Sequence, residues 1–176
     1  MSPVRVLTAT FFDRSAEDVA YDLIGCHLHC RLRDQSVSRT ITETEAYVGP
    51  EDLASHAARG RTKRNDALFG PPGTFYVYFV YGLHWMLNVV TGPVGYPAAV
   101  LIRSVDGIVG PGSLTKALAI NGTLNGQLAN EATGVWFSEG PRRPRRQIIR
   151  SARVGVDYAG EIWSSKPYRF SLKHPR

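Results

Sequence analysis

Cysteine is almost missing from this chain of 176 residues, where only Cys26 and Cys30 occur. Two thiols so close together cannot build the disulfide framework of a small secreted fold. Long apolar runs are missing too, and the N-terminus has no apolar signal core. A membrane span or export signal is therefore not expected, and the default compartment is a reducing cytoplasm. Negative charge is in short supply. Lys and Arg number 21 against 15 Asp and Glu, for a net charge of +6, and the pI is about 9.6. Such a balance suits a polyanionic partner, although ribosomal or membrane-surface binding would also explain it. Nothing repeats along the chain, and residues 1–176 are expected to form one domain with a proper core.

The most informative stretch runs from Ile41 to Tyr47. Read within a strand over Ser38–Val48, it sends Ile41, Glu43, Glu45 and Tyr47 to one face and Thr42, Thr44 and Ala46 to the other. Two carboxylates and a phenol make poor core, because an unpaired buried carboxylate is costly. Gly49 and Pro50 stop this strand. Upstream, Ser15 reads as a helix N-cap with Asp18 three residues on. Ala16, Val19, Ala20, Leu23 and Ile24 keep helical spacing, and Gly25 ends it. Cys26, His27, His29 and Cys30 invite a metal reading, yet in an extended segment the thiols share one face and the imidazoles the other. One strand cannot easily wrap all four around a tetrahedral ion, so no metal site is expected. Arg31–Ser36 reads as the turn into the next strand.

Beyond Pro50, Glu51–Ala58 reads as a short helix carrying His56, followed by a basic loop with Arg59, Arg61, Lys63 and Arg64. Pro71, Pro72 and Gly73 turn the chain into an aromatic hairpin. On its first strand Tyr76 and Tyr78 share a face, opposite Phe75, Val77 and Phe79. Tyr81 precedes Gly82 at the tip, where a large ring has little core to join. Trp85–Val90 returns with Asn88, a polar side chain that needs an internal hydrogen bond or a cavity. A third strand, Ala98–Val105, carries Arg103 on the face of Ala99 and Leu101. Ser113 reads as the cap of a helix through Ile120, 121–134 as surface loop or short helix, and 135–137 as a short strand. Arg142, Arg143, Arg145, Arg146, Arg150 and Arg153 follow. That density of arginine is the clearest electrostatic footprint for nucleic acid.

Taken in order, several segments resemble the 3-methyladenine (alkyladenine) DNA glycosylase family. They are Glu43 to Asp52, Ala54-Ser55-His56, Arg64-Asn65, Pro71-Pro72-Gly73, Tyr76-Val77-Tyr78 and Tyr81-Gly82, with Gly160-Glu161 and Lys166-Pro167 near the end. The likeness covers nearly the whole chain, and the ordered set is highly specific. Without the long N-terminal extension of vertebrate members, the chain resembles a bacterial form. The resemblance implies a mixed α/β (α+β) domain with a curved, mainly antiparallel sheet, a protruding hairpin and peripheral helices. It implies a monomer in the bacterial nucleoid, needing no cofactor or metal, that acts on double-stranded DNA containing damaged purines.

Residue by residue, the resemblance makes Glu45 the general base that activates water, with Arg103 orienting that water and holding Glu45 ionised. Tyr47 and Tyr78 would stack on the flipped base, His56 would close the pocket edge, and the carbonyl of Val154 would join the water's shell. Asn88 would crowd the exocyclic amine of guanine, and Tyr81 would fill the gap in the duplex. Arg59, Arg61, Arg64, Gly82, Arg142 and Arg143 are expected along the DNA backbone. No lysine stands where Schiff-base chemistry would be read, which points to a monofunctional enzyme.

Three other readings compete. A basic aromatic protein could grip nucleic acid without chemistry, but this leaves Glu45 beside Tyr47 without a reason. A metal-dependent hydrolase would have to use His27, His29 and the two cysteines. A likeness to a formyltransferase C-terminal domain is analogy of architecture alone.

Overall fold

The structure is a computed structural model that describes residues 5–33 and 35–173. In chain order its strands are β1 (His27–Leu32), β2 (Gln35–Tyr47), β3 (Phe75–Val80), β4 (His84–Thr91), β5 (Ala98–Val105), β6 (Val135–Ser138), β7 (Ile148–Ser151) and β8 (Arg169–Leu172). They form one antiparallel sheet ordered β3-β4-β5-β2-β1-β6, with β8 paired to both β2 and β7. The helices are α1 (Ala9–Phe12), α2 (Ala16–Asp22), α3 (Pro111–Ala117) and α4 (Gly160–Ser164). The α+β architecture with peripheral helices is the one expected. Among the described residues no helix is long and apolar enough to cross a membrane.

β2 is the spine. Its first half pairs with β1 and its second half with β5 on one edge and β8 on the other. Successive residues alternate across the sheet, and one face is covered by α2, where the Thr44 hydroxyl donates to the Ala20 carbonyl at 2.8 Å. Val19 and Ala20 of α2 and Leu23 at its C-cap join Ala46, Ile102 and Phe170 in the main core. Burying each large aliphatic side chain there contributes about 1.5–3 kcal/mol, which commits α2 to this face. Glu43, Glu45 and Tyr47 leave the opposite face. Ile41 departs from the expected alternation. It is buried in the main core, and the pairing register shifts between Ile41 and Glu43.

Ser15 caps α2 as read, its hydroxyl accepting from the Asp18 N–H at 3.1 Å. Elsewhere the boundaries move. The hairpin of β1 and β2 is tighter than the Arg31–Ser36 turn anticipated, with Arg33 at φ 51; Asp34 lies outside the described residues. The helix expected from Ser113 starts at Pro111, because Gly110 at φ 93 reverses the chain and the proline ring fits the first helical position. Glu51–Ala58 is not a helix. Only His56–Arg59 forms a 3-10 turn, capped by Ser55, because the Asp52 carboxylate accepts from Val48 N–H and Ala54 N–H and folds the segment back. The strands β7 and β8 carry too few alternating residues to be read from sequence.

Candidate active site

A cleft of about 940 Å³ opens on the face opposite α2, with Glu45 and Arg103 at its floor and Tyr81, Arg59 and Arg64 among its lining residues. Glu45 is fully buried, at 0 % exposure. Its Oε1 accepts from the Val154 N–H at 2.8 Å and lies 3.4 Å from Arg103 Nη1. Its Oε2 accepts from the Tyr47 hydroxyl at 3.0 Å. Burial pushes the Glu45 carboxyl above its ordinary range, and Arg103, the Val154 N–H and Tyr47 offset only part of this. Arg103 was expected to hold Glu45 ionised. It does pull in that direction, and burial outweighs it.

Arg103 reaches this point through a backbone irregularity. Thr44 pairs with Ile102 while Glu43 pairs with Ser104, so Arg103 is an extra residue on β5. Such bulges re-aim a side chain. Here the bulge lets both Arg103 and Ser104 reach Glu43. Arg103 Nε donates to Glu43 Oε1 at 3.2 Å, Arg169 Nη1 to the same oxygen at 2.9 Å, and the Ser104 hydroxyl to Oε2 at 2.8 Å. Burial raises the Glu43 carboxyl, but Arg169, Ser104 and Arg103 together hold it below the usual range. Glu43 thus fixes Arg103 from behind.

Beside Glu45 a narrow pocket is lined by Tyr47, His56, Leu68, Tyr78, Asn88 and Tyr158, among others. Each ring at its walls is braced. Tyr47 rests against the Arg153 guanidinium, 4.8 Å from its centroid. Tyr78 meets His56 edge to face at 4.5 Å and Tyr76 at 5.1 Å. His56 Nδ1 and the Tyr76 hydroxyl are 2.9 Å apart, and burial, with Arg64 nearby, lowers the His56 pKa. The ring is therefore neutral near pH 7 and a weak acid catalyst. Asn88 donates its amide N–H to the Tyr76 carbonyl at 3.1 Å, which satisfies the buried amide inside the sheet and leaves its carbonyl end for the pocket.

At the tip between β3 and β4, Tyr81 and Gly82 have φ 53 and 63. Positive φ at both positions is the pattern of primed hairpin turns. For a tyrosine this conformation costs about 1 kcal/mol or more. The side chain recovers nothing by packing, since Tyr81 is 89 % exposed. Tyr81 is thus a strained, exposed aromatic residue at the rim of the cleft.

The basic residues divide. Arg64 Nη2 donates to the Phe79 carbonyl of β3 at 3.1 Å. Arg61 is turned aside into a pair with Asp66 at 2.7 Å and lies over Phe69. Arg142 and Arg143 are not brought to this cleft; they line another one. Arg153, counted with the nucleic-acid footprint, is buried, donating to both oxygens of the buried Asp52 and to the Ala46 carbonyl. It is a structural cation that fixes the pocket wall. Sequence reasoning missed Asp52, Ser104, Tyr158 and Arg169. Of these only Asp52 lies inside one of the family-like motifs.

His27 and His29 face away from the buried thiols, as the alternation requires. His29 Nε2 lies 2.7 Å from the Ser138 hydroxyl and its ring stacks on Trp136 at 4.9 Å, so it is committed to packing at the β1–β6 pairing.

Known proteins with the same sequence pattern give this site its context. The family model described as Methylpurine-DNA glycosylase (MPG) matches residues 10–109 and 106–176. A relative from an Anaeromyxobacter species is 44% identical, over 95% of this chain and 89% of its own length. One from Methanocella arvoryzae is 40% identical over 96% of this chain and 93% of its own length. One from Legionella pneumophila is 39% identical over 97% and 96%. All three bear the name "Putative 3-methyladenine DNA glycosylase". With a buried glutamate at the floor of an aromatic cleft and the family's pattern along nearly its whole length, the chain is a DNA glycosylase of the methylpurine-DNA glycosylase family.

Proposed function

We propose that the chain is a monofunctional hydrolase that extrudes alkylated purines from duplex DNA and removes them through a water activated by Glu45. The observation that carries this reading is the Glu45 carboxylate, fully buried yet opening onto the cleft and held on both oxygens. A purely binding protein has no use for so costly a group. In the reaction Glu45 takes a proton from water as its oxygen attacks the sugar C1′. The C1′–N bond breaks and its electron pair leaves with the base. The carboxylate also stabilises the cationic sugar that develops, as carboxylates do in glycoside hydrolysis.

Tyr81, presented at the hairpin tip, takes the place of the extruded nucleotide, and Tyr47 and Tyr78 stack on the base. Aromatic stacking of this kind is worth about 1–3 kcal/mol per base. A purine already carrying positive charge gains from the electron-rich rings and departs neutral without an acid. The neutral His56 makes such leaving groups the preferred class; neutral lesions such as hypoxanthine or ethenoadenine depend on shape alone. The carbonyl end of Asn88 disfavours guanine by crowding its amine. Arg59 and Arg64 contact phosphates along the rim, with Gly82 allowing close backbone approach at the tip.

Glu45→Gln tests the reading. Single-turnover excision of 3-methyladenine should fall by about 10²–10⁴-fold, the loss typical of a general base, while binding to the lesion duplex is retained. Excision near the wild-type rate by the variant would end the proposal.

A further inference from the structure

Arg142, Arg143, Arg145 and Arg150 gather on the side of the sheet that α2 covers. Two adjoining clefts of about 610 and 580 Å³ hold them, with Arg14, Tyr21, Asp22, Arg145 and Ile148 common to both. Residues of α2 in these walls place the clefts, because α2 packs on the Thr44 face of β2 and Glu45 leaves the other. No residue lining the catalytic cleft recurs here.

Charge in this region is unbalanced. Six arginines face three carboxylates, those of Asp18, Asp22 and Glu139. Arg5 pairs with Glu139 at 3.3 Å and Arg14 with Asp22 at 2.8 Å. Among the described residues Arg142, Arg143, Arg145 and Arg150 have no carboxylate partner. Arg14 Nη2, Arg143 Nε and the Tyr21 hydroxyl are buried without an acceptor among the described residues. The exposed guanidinium groups of Arg142, Arg145 and Arg150, which have no carboxylate partner among the described residues, are the donors that an acceptor supplied from outside can reach.

The acceptor's chemistry follows from what the walls offer. Arg14 covers Phe11 at 4.6 Å, and Arg150 covers Tyr21 and Phe170 at 5.4 and 5.1 Å, so those rings offer poor platforms for a base. What remains are guanidinium forks, which match phosphate oxygens. The cations are strung along two clefts and do not converge on one point, which fits a phosphodiester chain better than a free phosphate. Cys26 is in the wall too, but burial pushes its thiol up to about 11, so it stays protonated and unreactive.

We propose that this rear cleft binds the backbone of a second segment of duplex DNA while the first is engaged at Glu45. Duplex DNA is stiff over about 150 bp, so a short duplex docked at the catalytic cleft cannot bend around the sheet to Arg142. The inference rests on the proposed function only in taking DNA as the polymer. A second segment held without base contacts would keep the enzyme near DNA between encounters.

Bridging tests this directly. Two short duplexes, one with the lesion and a donor dye and one undamaged with an acceptor dye, are mixed with the protein, and sedimentation counts the components. Wild type should form complexes of one protein with two duplexes. Arg142→Ala/Arg145→Ala, which changes two exposed side chains, should weaken bridging at least about tenfold. It should also lower the log–log salt slope of bridging by about one unit for each phosphate that is no longer neutralised. Single-turnover excision on one duplex should stay within about twofold of wild type. Arg143→Gln, which keeps the stem packed near Gly25, should act in the same direction. Parallel loss of excision and binding would mean that one duplex reaches both clefts, and the proposal fails. It also fails if wild type never binds a second duplex at low salt, or if bridged species hold two proteins. Displacement of the second duplex by polyglutamate or inorganic phosphate, at matched ionic strength and well below the DNA phosphate concentration, would assign the cleft to an acidic protein or a free anion. Bridging without any excision would instead leave this cleft standing and overturn the proposed function.

Discussion

Glu43 and Glu45 leave β2 on the same face, and their carboxylates are held in opposite ways. Glu43 receives Arg103, Arg169 and Ser104, and its acidity is strengthened. Glu45 is buried more deeply with one more distant cation, a backbone N–H and a phenol, and its acidity is weakened. A carboxylate surrounded by donors is stable and chemically quiet. One that is poorly solvated, with burial raising its pKa, accepts a proton more readily. Two neighbouring carboxylates whose environments push their pKa values apart are the pattern by which acid and base roles are assigned, and it is the basis for proposing Glu45 as the base.

The largest expected effect comes from comparing Glu45→Gln with Glu43→Gln. The first should cost about 10²–10⁴-fold in single-turnover excision. Equal losses from the two changes would erase the division between them.

Tyr81→Ala leaves both glutamates in place and asks whether extrusion is a separate step. Losing support on the scale of base unstacking, a few kcal/mol, should slow excision of a well-paired lesion by about thirtyfold to several hundredfold. A lesion opposite a mismatch should lose less. A fluorescent base reporting extrusion, with equal losses on both duplexes and normal extrusion, would make Tyr81 a structural residue.

Glu43→Gln should cost about tenfold or less, since Arg103 keeps Glu45 as a partner. Its signature is in the pH profile. In the proposed reaction excision requires ionised Glu45, so the rate is expected to climb as pH rises through that group's raised pKa. Glu43 is one of the charges that raise it, so Glu43→Gln should move the acidic limb to lower pH. A limb that stays put would remove Glu43 from the positioning role.

Thermal stability gives the smallest and most diagnostic contrast, because the signs are opposite. Glu45 is raised in the fold, so its contribution is present below its unfolded pKa and is lost as pH rises through the folded value. Glu45→Gln should therefore raise Tm at neutral pH, with the gain vanishing in acid. Glu43 is lowered, so its contribution is present above its unfolded pKa and lost as pH falls through the folded value. Glu43→Gln should lower Tm at neutral pH and matter little in acid. Shifts of the same sign in both variants, followed by scanning calorimetry across pH, would contradict the two environments.

Local rules were enough to read much of this protein. Period-two alternation put Glu43, Glu45 and Tyr47 on one face, hydroxyl capping placed the start of α2 at Ser15, and the apolar surroundings of Asn88 called for an internal hydrogen bond or a cavity, both of which it has. The order of motifs carried the family. Other features depend on residues far apart in the chain, whose meeting no local pattern encodes. Asp52 abandons a helix because Arg153, 101 residues away, meets it in the interior. Arg103 reaches both glutamates because β5 carries one extra residue opposite β2. The arginines after Pro141 look alike in sequence, yet packing buries Arg153 behind Tyr47 and leaves Arg142 on the far side of the sheet. Composition determined that this chain carries a surplus of positive charge; burial and pairing across the sheet decided which of its cations are locked inside and which stay exposed.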